Sequence, residues 1–400
     1  MKVCLLSVGE IKLFPRMFKV AKSLLRQGYS VVAVCLKRFE GLPDEELYDG
    51  IAIRRARMAL GMRGRVSQLP ILKALTVIPL LIKALKEKAD VYHCFHFQAL
   101  LVGVLVKSLL RPKALFYDGL EDYPFNLSGH YHRVLGMPRR LLRHFFLSLE
   151  LALVKKLVDF VFTVDSAGGI LHKRYKIVSK NVIVVQNVPE IKTSIDEGLR
   201  KRLVTRYKGY KLLVYVGAIH RIRGCLNMVK AMKYVVEKVP NTKLLMIGTI
   251  SDKNFIKEAL EFMQKHDLNG NVELLGFVPY DKLHTYLSVC HLGLTLDIPE
   301  HQSLIGTPTK LFLYMRAGLP VIASDLPIPR NIIKIAKCGI LVDPTNVKQI
   351  ANAIIRLLKN PELAKQLGEN GRKAIREKYN WRGEEGKILG VYRRFAEGTR

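Results

Sequence analysis

The chain has 400 residues, of which 49% are hydrophobic and 25% are charged. This composition excludes a disordered chain, and the length fits two domains better than one core. Lysine and arginine together number 65 against 34 aspartates and glutamates, a formal excess of 31 positive charges. Such an excess predicts contact with an acidic surface or with a phosphate-bearing ligand.

The first half of the sequence alternates between strand-like and helix-like segments. An apolar run at 3–7 ends near Gly9, and a helix is predicted over 15–27 with Gly28 as its stop. Alternation at this spacing is typical of a parallel sheet covered by helices on both faces. The further strands predicted in this half are 30–36, 51–54, 90–93, 114–117, 160–164 and 182–186.

The same alternation restarts after residue 206. A strand at 211–216 ends at Gly217, and a helix is predicted over 226–238. The charged, strand-free segment 192–206 is the predicted linker, and a last helix at 381–396 has no strand after it. The further strands predicted in this half are 243–247, 272–275, 292–296, 320–323 and 339–342.

This pattern predicts an α/β protein of two Rossmann-like domains, each a doubly wound parallel sheet, that face a cleft. The predicted domains are 1–190, with a C-terminal helix at 383–400 packing back on it, and 207–382. Ligands of doubly wound sheets bind outside the carboxyl ends of the strands. Side chains that directly follow a strand are therefore the candidate site residues.

From residue 215 onward, the sequence contains several stretches in the order of one known family. They are YVGAIHRIRG (215–224), VELLGFVPYDKL (272–283), TPTKLFLYMRAGLPVIASD (307–325), CGILVDP (338–344) and NPELAKQLGENGRKAIREKYNW (360–381). This half resembles the retaining glycosyltransferases of family four, which have the GT-B fold. The first half resembles their N-terminal domain through FPRMFKVAKSLLRQGYSVVAV, ADVYHCFHFQALLVG and ALFYDGLEDYP.

The resemblance implies a reaction and its substrates. A sugar would move from a nucleotide-diphosphate sugar to an acceptor with retention, and without a metal or other cofactor. The resemblance makes the first domain the acceptor domain and the second the donor domain, with a glycan or a lipid-linked molecule as acceptor. The alternative is a catalytically impaired GT-B protein that binds a nucleotide sugar or a partner enzyme.

The loop after the strand at 211–216 has the composition of a phosphate site. Gly217 lets the backbone approach a ligand, while Arg221 and Arg223 bring positive charge just before a helix. By resemblance, Arg223 holds the position of the family's phosphate-binding lysine or arginine. Ala218 stands where many members carry a second arginine, so Arg221 is its expected substitute.

A second phosphate-binding element is predicted at 307–316. Thr309, Lys310 and Leu311 open a helix whose unpaired N–H groups suit a diphosphate. The resemblance implies that this helix start binds the phosphates and that Lys310 assists the leaving group together with Arg223.

The family's two glutamates near this helix are both missing. The one that holds the ribose hydroxyls falls at Leu313 and the earlier one at Ile305. Three outcomes stay open: weak donor binding, replacement by a group such as Glu300, or loss of catalysis.

The remaining candidates follow other strands. Phe277 and Val278 are expected at the nucleotide base, largely through backbone groups, and Gly9 is expected to leave room for the donor phosphates or sugar. Asp118 and Glu121 are candidate polar contacts to the sugar or acceptor, with a helix cap as the alternative role.

Three further positions bear on the sugar site. Relatives often carry a histidine where Leu120 sits here, so its loss is a second departure from the family. His93 and His96 lie near the end of a strand, where a structural role is the alternative to a catalytic one.

The sequence also bears on location and on large partners. Six scattered cysteines without a CxxC motif predict reduced thiols of a cytoplasmic protein, with no zinc and no disulfide. We expect no signal peptide, no membrane-spanning helix and no nucleic-acid partner, because no motif of those classes occurs. Basic, apolar segments at 51–88 and 130–156 indicate either peripheral contact with an anionic membrane or packed helices with a solvated basic face.

Overall fold

The protein is described from a computed structural model that covers residues 1–37, 41–57, 77–165, 169–191, 193–250 and 252–397. Two compact units are present: residues 1–187 with 384–400, and residues 188–383. Within the basic segment 51–88, the residues Arg63, Arg65 and Lys73 lie outside the described residues.

The first unit contains an eight-stranded sheet with strand order β3-β4-β2-β1-β5-β6-β7-β8. All neighbouring strands are parallel except β3 and β4. The strands are β1 (Lys2–Ser7), β2 (Ser30–Leu36), β3 (Glu45–Tyr48), β4 (Ile51–Ala56), β5 (Val91–Phe95), β6 (Ala114–Gly119), β7 (Phe160–Thr163) and β8 (Val182–Val184).

Helices follow most of these strands, as parallel pairing requires. They are α1 (Pro15–Arg26), α2 (Val77–Glu87), α3 (Phe97–Leu110), α4 (Tyr123–Leu135), α5 (Arg139–Leu157) and α6 (Ile170–Lys176). The central strands β1, β2, β5 and β6 are almost continuously buried, because helices cover both faces. The sequence pattern missed β3, since its residues EELY are mostly exposed and carry no run of apolar side chains.

The second unit contains a six-stranded, fully parallel sheet with strand order β11-β10-β9-β12-β13-β14. Its strands are β9 (Lys211–Val216), β10 (Thr242–Ile247), β11 (Val272–Gly276), β12 (Leu292–Thr295), β13 (Val321–Ser324) and β14 (Gly339–Val342). Its helices are α7 (Glu197–Arg206), α8 (Cys225–Lys238), α9 (Lys253–Lys265), α10 (Tyr280–Leu287), α11 (His301–Ile305), α12 (Thr309–Ala317), α13 (Pro327–Ala336), α14 (Val347–Lys359) and α15 (Pro361–Glu377).

The predicted linker and the last helix both differ from simple connections between the units. The charged stretch in which we expected a linker contains α7, which Asp196 caps by accepting a hydrogen bond from the backbone N–H of Leu199. The last helix, α16 (Trp381–Ala396), runs on from the second unit into the sequence of the first. Its Tyr392 hydroxyl lies 2.8 Å from Nδ1 of His93 in the first unit's core.

Among the described residues, no helix is both long enough and apolar enough to span a membrane. All six cysteines are present as thiols, and five of them are buried. In the described part of the chain, no group of three His, Cys, Asp or Glu side chains has a geometry that could hold a metal ion.

Candidate functional site

The second sheet reverses its winding direction between β9 and β12. From β9 the chain proceeds outward to β10 and β11, and it then returns to place β12 on the other side of β9. The loops that leave the carboxyl ends of these two strands consequently diverge. A doubly wound sheet binds its ligands in the crevice at this point.

Tyr314 on α12 packs under this crevice. Its hydroxyl accepts a hydrogen bond from the backbone N–H of Val216 at 2.9 Å and donates one to the carbonyl of Leu294 at 3.1 Å. Gly293 leaves room for the ring, since a Cβ there would overlap the Tyr314 side chain. The start of α12 is thereby fixed against both strands of the crossover.

Lys310, in the first turn of α12, reaches into the crevice. Its ammonium donates a hydrogen bond of 3.0 Å to Asp297, which follows β12, and lies 4.9 Å from the ring centre of Tyr215. Both charged side chains are 10% exposed. Burial lowers the pKa of Lys310, and the Asp297 carboxylate opposes that shift.

Arg223 contacts the other oxygen of the same carboxylate. Its guanidinium lies 3.2 Å from Oδ2 of Asp297, and the side chain remains 42% exposed. The loop is held against the end of β12 because the N–H of Ile298 donates to the carbonyl of Ile222 at 2.9 Å. Gly224 allows this contact, since it has φ of 68° and any Cβ there would overlap the carbonyl of Leu296.

Glycines also line the neighbouring strand ends. Gly217 has φ of 138°, and a Cβ on it would lie 3.6 Å from Cε of Lys310 and 3.1 Å from the Tyr215 hydroxyl. Gly248 follows β10 with φ of 151°, and a Cβ there would overlap the carbonyl of Gly217. These backbones are therefore packed as closely as glycine permits, beside the Lys310 ammonium.

The start of α12 offers backbone groups rather than side chains. Its N-cap, Pro308, has no side-chain cap hydrogen bond, so no cap side chain competes for the N–H groups of the first turn. Thr309 is exposed, whereas Leu311 is fully buried in the core and presents no side chain to the crevice. The helix dipole adds positive potential next to the Lys310 ammonium.

Two predicted contacts lie apart from this cluster. Arg221 pairs with Glu258 on α9 at 2.6 Å, and Lys230 contacts the same carboxylate at 3.1 Å. Arg221 therefore does not share the Asp297 carboxylate with Arg223. In the loop after β11, Phe277 is 57% exposed, and Val278 is packed against the core.

The two positions that lack the family's glutamates are part of the core. Leu313 is 8% exposed and Ile305 is 4% exposed. Glu300 is exposed, three residues after Asp297, and its backbone carbonyl and N–H both bond the Ser303 hydroxyl at 2.8 Å. Glu300, the replacement named from the sequence, is thus a solvent-accessible carboxylate on the loop that carries Asp297.

In the first unit, Asp118 is fully buried. Its two oxygens accept hydrogen bonds from Nε and Nη2 of Arg16 at 2.7 and 2.9 Å, and Arg16 also donates to the carbonyl of Val185 at 2.8 Å. Burial raises the pKa of Asp118, while Arg16 opposes the shift. Because no part of this carboxylate is exposed, we interpret Asp118 as a structural residue that ties α1 to β6, in place of the predicted substrate contact.

The two acidic residues that follow β6, Glu121 and Asp122, have different roles. Asp122 is the helix cap, since it accepts from the N–H of Phe125 at 3.2 Å and pairs with Arg174 at 2.7 Å. Glu121 is exposed and accepts a hydrogen bond from the Asn126 side chain at 3.0 Å. Leu120, the position of the missing histidine, is half-buried.

Gly9 lies at the switch point of the first sheet, beyond the end of β1. Its N–H donates to the Ser7 hydroxyl at 2.9 Å, and a Cβ on Gly9 would meet only that hydroxyl, at 3.5 Å. No contact among the described residues therefore requires glycine at this position, and the space beside it is open.

The two strand-end histidines differ sharply. His93 is fully buried beside Tyr392, and burial lowers its pKa well below the usual value, so it is neutral and structural. His96 follows β5 at the same switch point, with φ of 80°, and stacks on Phe14 at 4.9 Å between ring centres. A positive φ is strained for histidine, and such strain clusters at functional positions.

Sequence reasoning missed Asp297 and Arg16. Asp297 directly follows a buried strand in LGLTLD, and that position alone was the available signal. Arg16 lies in the first turn of a helix, where an arginine is normally solvated, and its partner Asp118 is 102 residues away.

Known proteins resemble the second unit in sequence. Residues 200–374 match the family model described as glycosyl transferases group 1. An uncharacterised glycosyltransferase of Methanocaldococcus jannaschii is 25% identical over 236 residues, which cover 58% of this chain and 57% of that protein. The chain thus spans a little over half the length of the curated relatives it matches.

Two solved structures match along nearly the whole chain. Sucrose-phosphate synthase from Thermosynechococcus elongatus superposes with a TM-score of 0.76 at 20% identity and covers 100% of both chains. The Anabaena protein HepE, solved with UDP and glucose, gives a TM-score of 0.70 at 14% identity and covers 98% of this chain and 99% of its own. Residues 200–374 therefore match the glycosyl transferases group 1 family, and the chain has the GT-B fold of two Rossmann-like units.

Proposed function

We propose that the protein transfers a sugar from a nucleoside-diphosphate sugar to an acceptor, with retention and without a metal ion. One observation carries the proposal: Lys310 and Arg223 share Asp297 at the switch point of the second sheet. Two cations, a helix start without a side-chain cap and three positive-φ glycines surround one crevice. This combination suits a diphosphate.

The proposed chemistry is electrostatic. When the bond between the sugar and the diphosphate breaks, negative charge grows on the leaving oxygens. Lys310 is buried, so its charge acts through a medium of low dielectric, and Arg223 is exposed enough to move onto the second phosphate. Together they neutralise the leaving group and take the place that a divalent cation has in other transferases.

The nucleotide base of the donor is assigned to a less polar element than the diphosphate. We place the nucleotide base at the loop after β11, where the exposed Phe277 ring and the backbone around Val278 are available. The Anabaena structure contains UDP and glucose, and we therefore propose a uridine diphosphate hexose as the first donor to test. Retention rests on the resemblance of the quoted stretches to family four.

The acceptor is assigned to the first unit. Glu121 is exposed near the carboxyl end of β6, and His96 lies at the switch point of the same sheet. Gly9, at the same switch point, is assigned to the donor phosphates or sugar. A glycan hydroxyl or a lipid-linked hydroxyl is the proposed acceptor group. We place the reaction in the cytoplasm, in keeping with the scattered thiols.

The test is release of nucleoside diphosphate from a panel of UDP, GDP and ADP hexoses, offered with glycan and lipid-linked acceptors. The wild type is expected to release one diphosphate, and Lys310→Gln to lower kcat by roughly 100-fold or more, the loss seen when one transition-state donor is removed. An unchanged kcat in a folded Lys310→Gln protein would remove Lys310 from the mechanism.

A second candidate is a catalytically impaired protein that binds the nucleotide sugar. The burial of Leu313 and Ile305 favours it, because neither position can accept a hydrogen bond from a ribose hydroxyl. Under this candidate the donor panel shows thermal stabilisation by one nucleotide sugar and no release with any acceptor. Release above the rate of the Lys310→Gln protein would reject it.

A further inference from the structure

The hairpin formed by α4 and α5 ends in an unusual surface. Residues 123–149 contain no aspartate or glutamate, although the chain around them is rich in charge. At the end of the hairpin, four apolar side chains are exposed between 46% and 61%. We name this surface the hairpin tip; its apolar members are Leu135, Met137, Leu141 and Phe145.

The apolar side chains of the tip are additional to those that hold the hairpin in place. On α5, Leu142 is buried, and Phe146 stacks on Tyr131 at 5.3 Å and contacts Phe97 edge-on at 6.5 Å. Leu141 and Phe145 are one turn apart on another face, and they are 61% and 59% exposed. Grouped apolar side chains of this kind on a surface indicate a contact site.

Cations flank these apolar side chains. Arg133, Arg139 and Arg140 are exposed, and none of the three forms an ion pair with a carboxylate in the described ranges. The guanidinium of Arg139 lies 4.1 Å from the ring centre of Phe125, which positions its charge beside the tip. By contrast, Arg143 lies 3.6 Å from the buried Asp122. The tip therefore has three uncompensated positive charges.

We propose that the hairpin tip docks onto an anionic lipid bilayer, with its apolar side chains in the headgroup region and its arginines on lipid phosphates. A bilayer interface provides an apolar layer beneath a layer of negative charge, and the tip presents the complementary pair. Nucleic acid would leave the aliphatic side chains in water. The formal excess of 31 positive charges adds long-range attraction to the same surface.

The charge arm of the test uses co-sedimentation with vesicles of phosphatidylglycerol and phosphatidylcholine. R133Q/R139Q/R140Q is expected to bind on the order of 100-fold more weakly at low salt, since each basic side chain near an anionic surface contributes about fivefold. The matched control is K201Q/R202Q/K208Q, which removes the same charge from exposed positions of the second unit and is expected to lose much less. An equal loss of vesicle binding in both variants would show that binding depends on net charge alone, and it would overturn the docking surface.

The apolar arm compares two pairs of exposed side chains at the same helical spacing. L141S/F145S is expected to weaken vesicle binding by about tenfold or more, whereas L105S/L109S on α3, exposed by 44% and 64%, leaves it unchanged. Thermal unfolding of each variant checks that the fold is intact. Loss of self-association or of protein binding in L141S/F145S, with vesicle binding unchanged, would assign the tip to a protein partner instead.

The proposal is separable from the proposed catalysis. Diphosphate release with a water-soluble acceptor and no vesicles is expected to be the same for wild type and L141S/F145S. An inactive wild type that still binds vesicles through the tip would sink the enzyme assignment and leave the docking surface standing. If the wild type is active but its folded L141S/F145S variant binds vesicles normally, the docking surface is rejected and the enzyme assignment stands.

Discussion

The ammonium of Lys310 lies 3.0 Å from the carboxylate of Asp297, in a crevice where both side chains are 10% exposed. A buried lysine keeps its charge only if a counter-charge stays close. Asp297 is that counter-charge, and it is shared with Arg223. The three groups together carry one net positive charge, so a diphosphate competes with Asp297 for the same two cations.

Asp297→Asn is expected to destabilise the protein and to increase its response to diphosphate. Removing the carboxylate leaves Lys310 buried without its partner, which costs about 3–5 kcal/mol in comparable pairs. Added nucleoside diphosphate should recover more stability in the variant than in the wild type, because the ligand supplies the missing negative charge. Denaturant unfolding with and without ligand measures both effects. A variant as stable as wild type, with no greater ligand response, would contradict this account of the crevice.

Glu300→Gln is expected to raise the KM for the donor by roughly tenfold and to leave kcat unchanged. A hydrogen bond from a ribose hydroxyl to a carboxylate contributes about 1.5 kcal/mol or more, and its loss weakens ground-state binding. Glu362→Gln, at another exposed carboxylate on α15, is the control and should leave KM unchanged. If Glu300→Gln also leaves KM unchanged, Glu300 does not replace the glutamates absent at Leu313 and Ile305.

Asp118→Asn is expected to lower the free energy of unfolding by about 3–5 kcal/mol, because Arg16 would remain fully buried without a counter-charge. Glu121→Gln, at an exposed carboxylate nearby, is expected to change it by less than about 0.5 kcal/mol. Chemical denaturation distinguishes the two. If Asp118→Asn were as stable as the wild type but inactive, that result would support the substrate contact predicted from the sequence and contradict a structural role.

Glu150 should make the first unit less stable as the pH rises. It is fully buried against Tyr117, Tyr175, Arg174 and Asp122, and burial raises its pKa from 4.5 to about 7. Between these values the unfolded chain releases the proton while the folded chain retains it, so stability present below about pH 4.5 is lost as the pH rises to about 7.

Glu150→Gln removes this titration and keeps an acceptor for the Tyr117 hydroxyl, which donates to Glu150 at 2.7 Å. The variant is expected to be more stable than wild type by about 3 kcal/mol at pH 8 and little different near pH 4, since the pKa rises from 4.5 to about 7 and one pKa unit corresponds to about 1.4 kcal/mol. Urea unfolding across this pH range measures the difference. A constant difference at all pH values would show that Glu150 does not titrate there.

The fold was predictable because its signals are local. Strands 30–36 and 211–216 are confirmed at those bounds, since each is a continuous apolar run that helices cover on both faces. The GT-B fold is likewise confirmed by the structural matches. The edge strand β3 was not predictable, because an exposed charged segment pairs through its backbone and needs no apolar pattern.

The candidate site was predictable only in part. Arg223, Lys310 and Gly217 were found from strand ends and helix starts, and the structure brings them into one crevice. Their shared partner Asp297 was missed, because the pairing depends on where β12 returns beside β9. The same holds for Arg221, whose partner Glu258 is 37 residues away on another helix. Pairings across a sheet depend on tertiary packing, which a linear pattern does not encode.

Nucleoside diphosphate affinity in Arg223→Gln and Arg221→Gln tests the central claim most directly. The two arginines lie two residues apart, but only Arg223 contacts the Lys310–Asp297 pair. Titration calorimetry with the tightest binder among UDP, GDP and ADP is expected to show roughly a 10- to 100-fold loss for Arg223→Gln, since a hydrogen bond to a charged group contributes about 1.5–3 kcal/mol. Arg221→Gln is expected to stay within about threefold of wild type, because Glu258 already holds that side chain. Equal affinities in all three proteins, or a larger loss in Arg221→Gln, would contradict a diphosphate site in this crevice.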